Sequence, residues 1–167
     1  LDQGGTAVVY KAQDLLKEKI VALKVVPKQK DNQTMVDLAK ELRLTRLINH
    51  PNVAKVYESG QWEDIDFISL EYLEGITLKN HLAGHDKLTI AEGLRLLKQI
   101  SAGLAAAHLS GIIHLDLKPS NIFITKMDGV RLLDFGTSRR RIAEDQIEEF
   151  GDSMTSGTPI YMAPEQF

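Results

Sequence analysis

The feature that most constrains this chain is the spacing of three oxygen-bearing side chains in its second half. The run His114-Leu115-Asp116-Leu117-Lys118-Pro119-Ser120-Asn121 is followed, after a short interval, by Asp134-Phe135-Gly136. Within that interval two apolar runs, Ile122-Phe123-Ile124 and Val130-Arg131-Leu132-Leu133, flank the turn-forming Met127-Asp128-Gly129 and predict a hairpin. A hairpin returns the chain to its starting point, so Asn121 and Asp134 sit at its two ends beside the loop that carries Asp116. A carboxylate, an amide and a second carboxylate are thereby brought to one place, with Lys118 next to them.

Composition narrows what such a cluster can serve. With 167 residues, 43% of them hydrophobic and 26% charged, the chain can bury one substantial core or two small ones under an ordinary polar surface. A net charge of −3 and a pI of about 6.0 provide no basic stripe, which argues against a nucleic-acid partner. The absence of cysteine excludes disulfides, zinc–thiolate sites and thiol catalysis. No apolar run approaches the roughly 20 residues of a membrane span, and the amino terminus lacks a signal layout. The region is therefore expected to be cytoplasmic and to make no membrane contact itself, even where a full-length protein is membrane-anchored.

The first half reads as strands around one helix. Ala7 to Ala12 and Lys19 to Val26 alternate about a polar turn from Asp14 to Glu18, which predicts a hairpin. Thr34-x-x-Asp37 resembles a capping box, and Leu38, Leu42, Thr45 and Ile48 continue at helical spacing until His50-Pro51-Asn52, which predicts a helix over 33–48. Val53 to Ser59 and Ile65 to Glu71 read as two more strands. Gly75 then interrupts the regularity and marks a boundary. Beyond it, Thr77 to Ala83 reads as a short helix. Thr89-Ile90-Ala91-Glu92 opens a long one, with Leu94, Leu97, Ile100, Leu104 and Ala107 on one face. The polar stretch from Thr137 to Met162 reads as a loop. Lys24 stands out because both faces of its strand are apolar, and a lysine there needs a partner.

In this order, His114 to Asn121, Asp134-Phe135-Gly136 and Ala163-Pro164-Glu165 resemble the catalytic core of a protein kinase. The resemblance implies an α+β, two-lobed fold. A small antiparallel-sheet lobe with one helix would occupy residues 1–73 and bind nucleotide. An incomplete, mainly helical catalytic lobe would occupy 74–167. The resemblance begins at the glycine-rich loop and stops just after Glu165, so the chain is expected to be a fragment of a longer kinase, itself weakly active or inactive.

Residue by residue, the resemblance makes Asp116 the base that receives the substrate hydroxyl proton and Lys118 the stabiliser of the transferred phosphoryl group. It makes Asn121 and Asp134 the magnesium ligands, hard oxygen donors of the kind magnesium prefers. Lys24 would pair with Glu41 and face the nucleotide phosphates. The segment Leu1 to Tyr10 resembles the glycine-rich loop, with Leu1, Gly4, Gly5 and Val9 near ATP; Asp2 and Ala7 stand where glycines are usual, and only Gly4 is in register. The segment Ile68 to Gly75 resembles the hinge that binds the adenine edge at Glu71 and Leu73, with Val9 and Ala22 covering the ring on one side and Phe123 on the other. His114 would be structural, packed under Phe135, and Thr158 would touch the catalytic loop.

Lys118 and the run Gly157 to Glu165 resemble serine/threonine rather than tyrosine kinases, and Glu165-Gln166 is common in bacterial ones. Leu115 replaces an arginine that in many kinases reads a phosphorylated loop, so activation by loop phosphorylation is not expected. The function implied is ATP- and Mg2+-dependent phosphorylation of serine or threonine in a protein substrate, with the oligomeric state left open. Two alternatives stand beside it. Asp2, Ala7 and Leu115 would suit a pseudokinase or nucleotide-binding regulatory module, and a small-molecule kinase of the aminoglycoside-phosphotransferase type shares the catalytic layout.

Overall fold

The computed structural model describes residues 7–28, 33–84, 88–143, 146–148 and 158–163. The chain divides into two compact units, one of Leu1–Arg46 with Ala54–Leu73, the other of Leu47–Val53 with Glu74–Phe167.

The first unit is an antiparallel sheet with one helix against it. Strands β1 (Val8–Asp14), β2 (Lys19–Pro27), β3 (Val56–Trp62) and β4 (Ile65–Glu71) lie in the order β1-β2-β4-β3. The β1–β2 turn is closed by the Asp14 carboxylate, which accepts hydrogen bonds from the amides of Leu16 (3.1 Å) and Lys17 (3.0 Å), a local arrangement that aspartate favours at turns. Helix α1 (Gln33–Thr45) buries Thr34, Leu38, Glu41, Leu44 and Thr45. Leu38 joins Val56 and Ile68 in a core cluster edged by Leu42 and Leu70.

Three expectations fail here. Thr34 is not a cap: it is the second residue of α1, and its buried hydroxyl has no hydrogen-bond partner. The helix also ends at Thr45 rather than 48, and β3 starts at Val56 rather than Val53. Within the intervening segment, Leu47–Val53 belongs to the second unit, where Val53 forms a parallel bridge with Leu132 and the Asn52 carbonyl accepts from the Leu132 amide (2.8 Å).

The second unit is organised about helix α3 (Ile90–Leu109). The expected capping box is present, with the Thr89 hydroxyl accepting from the Glu92 amide and Glu92 accepting from the Thr89 amide. Its buried face differs from expectation: Leu96, Ile100, Gly103 and Ala107 are inward, whereas Leu94 and Leu97 are exposed. Gly103 explains the rotation. A Cβ there would lie 2.9 Å from Leu132 Cδ1 and 3.0 Å from the Asn52 carbonyl oxygen, so the helix packs where its smallest residue permits the closest approach.

Around α3 lie two small sheets. β5 (Gly75–Thr77), β7 (Ile122–Thr125) and β8 (Val130–Leu132) form one, in the order β5-β7-β8; helix α2 (Leu78–Gly84) follows β5 directly. Gly75 starts a strand rather than merely ending one. It has φ +152°, and a Cβ there would collide with the Ile124 carbonyl oxygen. The other sheet corrects the loop expected over 137–162. β9 (Arg139–Ala143) pairs with β6 (Ile112–Ile113), distant in sequence, and with β10 (Gln146–Glu148), just downstream, so this polar, arginine-rich run becomes a strand between two partners. Among the described residues no helix is long and apolar enough to cross a membrane.

Candidate active site

In the first unit the register of the sheet sets the geometry. Val9 opposes Lys24, Lys24 opposes Ile68, and Ala22 opposes Leu70, so Val9, Ala22 and Lys24 share the sheet face that carries Ile68 and Leu70. Ile68 packs with Leu38 of α1, which places Lys24 toward the helix. Its Nζ lies 3.3 Å from Glu41 Oε2, and the Glu41 side chain is only 3% exposed. The partner that the apolar strand demanded is thus supplied one helix away.

At the end of β4 the Glu71 amide donates to the Lys55 carbonyl (2.8 Å), while residues 72–74 leave the ladder. Lys11 Nζ stands 4.6 Å from the centre of the Tyr72 ring, a cation–π contact beside Leu73. Leu1, Gly4 and Gly5 lie outside the described residues, as do Pro164 and Glu165.

In the second unit the loop after β6 is folded on itself. Asp116 Oδ2 is 2.7 Å from Lys118 Nζ. Asp116 Oδ1 accepts from both the amide and the hydroxyl of Thr158, each at 2.9 Å, and the same hydroxyl accepts from Lys118 Nζ at 2.7 Å. Asn121, the last residue of the 3₁₀ turn Pro119–Asn121, reaches back so that its Nδ2 donates to the Asp116 carbonyl (2.9 Å) and to Asp116 Oδ2 (3.2 Å). Burial opposes ionisation of Asp116, but Lys118 and Thr158 prevail and hold its carboxyl below the usual range. The result is an anionic acceptor at neutral pH with both oxygens oriented.

The hairpin closes as expected. The Leu133 amide donates to the Asn121 carbonyl (2.9 Å), and Asp134 follows with φ 59°, its Oδ1 accepting from the Gly136 amide (3.3 Å). Leu115, beside Asp116, is also left-handed at φ 63°, a conformation that costs a non-glycine residue about 1–2 kcal/mol. Strain of this kind is held only by a surround that over-determines it. His114 provides part of that surround. Its Nε2 lies 3.0 Å from the Leu133 carbonyl and its Nδ1 accepts from the Asp116 amide (3.3 Å), which together require the neutral Nε2–H tautomer. Burial depresses its pKa, partly offset by the Leu133 carbonyl. Its ring lies 4.6 Å from that of Phe135.

Asn121 and Asp134 fit a magnesium ion by donor chemistry. The Asn121 amide nitrogen is spent on Asp116, which leaves its carbonyl oxygen as the ligating end, and Asp134 offers a carboxylate. Magnesium is commonly held by one or two such side chains together with substrate phosphates. Phe123, on β7 opposite Thr77, is half-buried in this same unit.

Thr158 is more deeply built into the site than a contact to the loop, since it bonds both Asp116 and Lys118. Asn52 and Gln99, whose side chains tie β8 to α3, were not legible as site residues; His50-Pro51-Asn52 signalled only a helix stop.

The protein kinase domain family matches residues 1–167. The serine/threonine-protein kinase PrkC of Bacillus subtilis is 33% identical over 165 residues, covering 98% of this chain and 25% of that protein. A probable serine/threonine-protein kinase, pknA2 of Bifidobacterium longum, is 32% identical over 98% of this chain and 22% of its own length. The serine/threonine-protein kinase pkn3 of Myxococcus xanthus is 34% identical over 99% of this chain and 32% of its own length. The chain thus spans between about a fifth and a third of these curated relatives. With the whole sequence matched and the catalytic-loop geometry in place, the chain belongs to the protein kinase family.

Proposed function

We propose that this chain carries the catalytic machinery of a serine/threonine protein kinase that transfers the γ-phosphoryl group of ATP to a protein hydroxyl. The observation that carries the reading is the closed network of Asp116, Lys118, Thr158 and Asn121. Asp116 accepts the proton of the attacking serine or threonine hydroxyl as the new oxygen–phosphorus bond forms and the bond to ADP breaks. Lys118, 2.7 Å from Asp116, would balance charge on the transferred group. Asn121 and Asp134 would hold Mg2+, which neutralises phosphate charge when bound. Lys24, fixed by Glu41, would meet the phosphates, with Val9, Ala22, Phe123, Glu71 and Leu73 around the adenine, and Leu1, Gly4 and Gly5 over the phosphates. An ATP-consuming site of this kind belongs on the cytoplasmic side.

The acceptor separates the rivals. In the natural chain, label from γ-labelled ATP is expected on serine and threonine of a protein acceptor, to require Mg2+, and to fall by about 10²–10⁴-fold in Asp116→Asn while nucleotide binding persists. Label on an aminoglycoside alone would favour the small-molecule kinase. Nucleotide binding without transfer would favour the regulatory module.

A further inference from the structure

Strand β8 lies at the edge of its sheet, yet three of its outward-facing backbone groups are satisfied without a further strand. The Val130 amide donates to Gln99 Oε1 (2.9 Å), the Val130 carbonyl accepts from Asn52 Nδ2 (2.9 Å), and the Leu132 amide donates to the Asn52 carbonyl (2.8 Å). Gln99 links these parts. Its Oε1 also accepts from Asn52 Nδ2 (3.2 Å), and its Nε2 donates to the Asp128 carbonyl (3.2 Å) in the β7–β8 turn. One side chain of α3 therefore grips both the turn and the first residue of β8. Val130 and Leu132 are fully buried, so water does not readily replace a lost acceptor.

The other edge of β8 faces β7, and just past the strand the Leu133 amide bonds the Asn121 carbonyl. Asp134 comes immediately after, in its left-handed conformation. The path of β8 thus sets where Asp134 stands relative to Asn121.

We propose that Gln99 is a positioning residue for the metal-binding pair Asn121 and Asp134, acting through the backbone of β8. The inference rests on the reading of that pair as magnesium ligands. Groups behind a metal ligand typically change metal affinity by about 10–100-fold when removed.

The test titrates Mn2+, detected by its paramagnetic resonance, into the natural chain with ATP present, alongside amide exchange at Val130 and Leu132. Gln99→Met, which keeps the length of the side chain and removes the acceptor, is expected to weaken Mn2+ binding by about tenfold and to speed exchange at Val130. Gln99→Glu, which retains an oxygen facing Val130 but loses the donor to the Asp128 carbonyl, is expected to recover part of the affinity. Where Gln99→Met does not fold, Gln99→Asn withdraws the carbonyl by one methylene and is read in the same way. A purely structural role would lower the melting temperature and leave Mn2+ affinity unchanged, and that result overturns the proposal while wild-type transfer keeps the kinase reading intact. Failure of the wild type to bind Mn2+ with ATP would overturn both.

Discussion

Each unit places one lysine–carboxylate pair among the candidate site residues, and these two pairs are held in different ways. Lys24 and Glu41 meet at 3.3 Å from a strand and a helix, so their contact depends on where α1 rests on the sheet. Lys118 and Asp116 meet at 2.7 Å from the same loop and share Thr158 as a common partner. The first pair reports the placement of an element. The second is set locally and bound from several directions, which suits a group that must face a reacting atom, since a displacement of about 1 Å can cost about 10²-fold in rate.

The largest effect expected from this contrast lies in the first pair. Lys24→Met takes the ammonium at 3.3 Å away from the buried Glu41 carboxylate, a loss that costs about 3 kcal/mol, and removes the cation proposed to meet the phosphates, worth about 10²-fold or more in turnover. Adding Glu41→Leu should restore stability, because an apolar pair can replace a buried ion pair, but should not restore turnover. Denaturant unfolding and a phosphoryl-transfer assay on the single and double variants separate the two roles. Recovery of turnover in the double variant would show that Lys24 serves packing alone.

A smaller effect is expected at Thr158. Thr158→Val removes the hydroxyl that Asp116 and Lys118 share but keeps the backbone amide on Asp116, and hydrogen bonds to charged groups are worth about 2 kcal/mol. Turnover should drop by about tenfold and return in Thr158→Ser. A valine variant with unaltered turnover would mean that the amide alone orients the carboxylate.

The same contrast shows what the sequence makes legible. Asp116, Lys118 and Asn121 stand within one short run, and their mutual hydrogen bonds follow from that spacing. The β1–β2 hairpin, β4 and the capping box of α3 are likewise local, and the structure reproduces them. What was misread depends on distant partners. The β9 strand is placed in its sheet by the distant Ile112–Ile113, with Gln146–Glu148 closing a local hairpin on its other side, not because Arg139 to Ala143 alternate. Leu94 and Leu97 have helical spacing, but Gly103 decides which face of α3 packs. Gln99 carries no local signal, since its partners are Asn52, Asp128 and Val130.

The smallest effect concerns the support beneath the second pair. His114 is held neutral, with burial depressing its pKa against the pull of the Leu133 carbonyl and of Asp134 and Asp116. In the unfolded chain an imidazole takes up its proton near pH 6.5, and in the fold only at lower pH. Between those two points the unfolded state binds more protons, so stability is fully present above about pH 6.5 and declines as pH falls. Asp116, also depressed, has the same sign, but its loss begins only near the ordinary aspartate pKa of 3.8, a separate and more acidic window. Unfolding free energies measured from about pH 7 to pH 5 should therefore decline in the wild type, and the decline should be shallower in His114→Gln, which lacks the titrating ring. An equally steep decline in that variant would move the titration elsewhere and leave the packing of His114 against Phe135 as its contribution to the loop that holds Asp116.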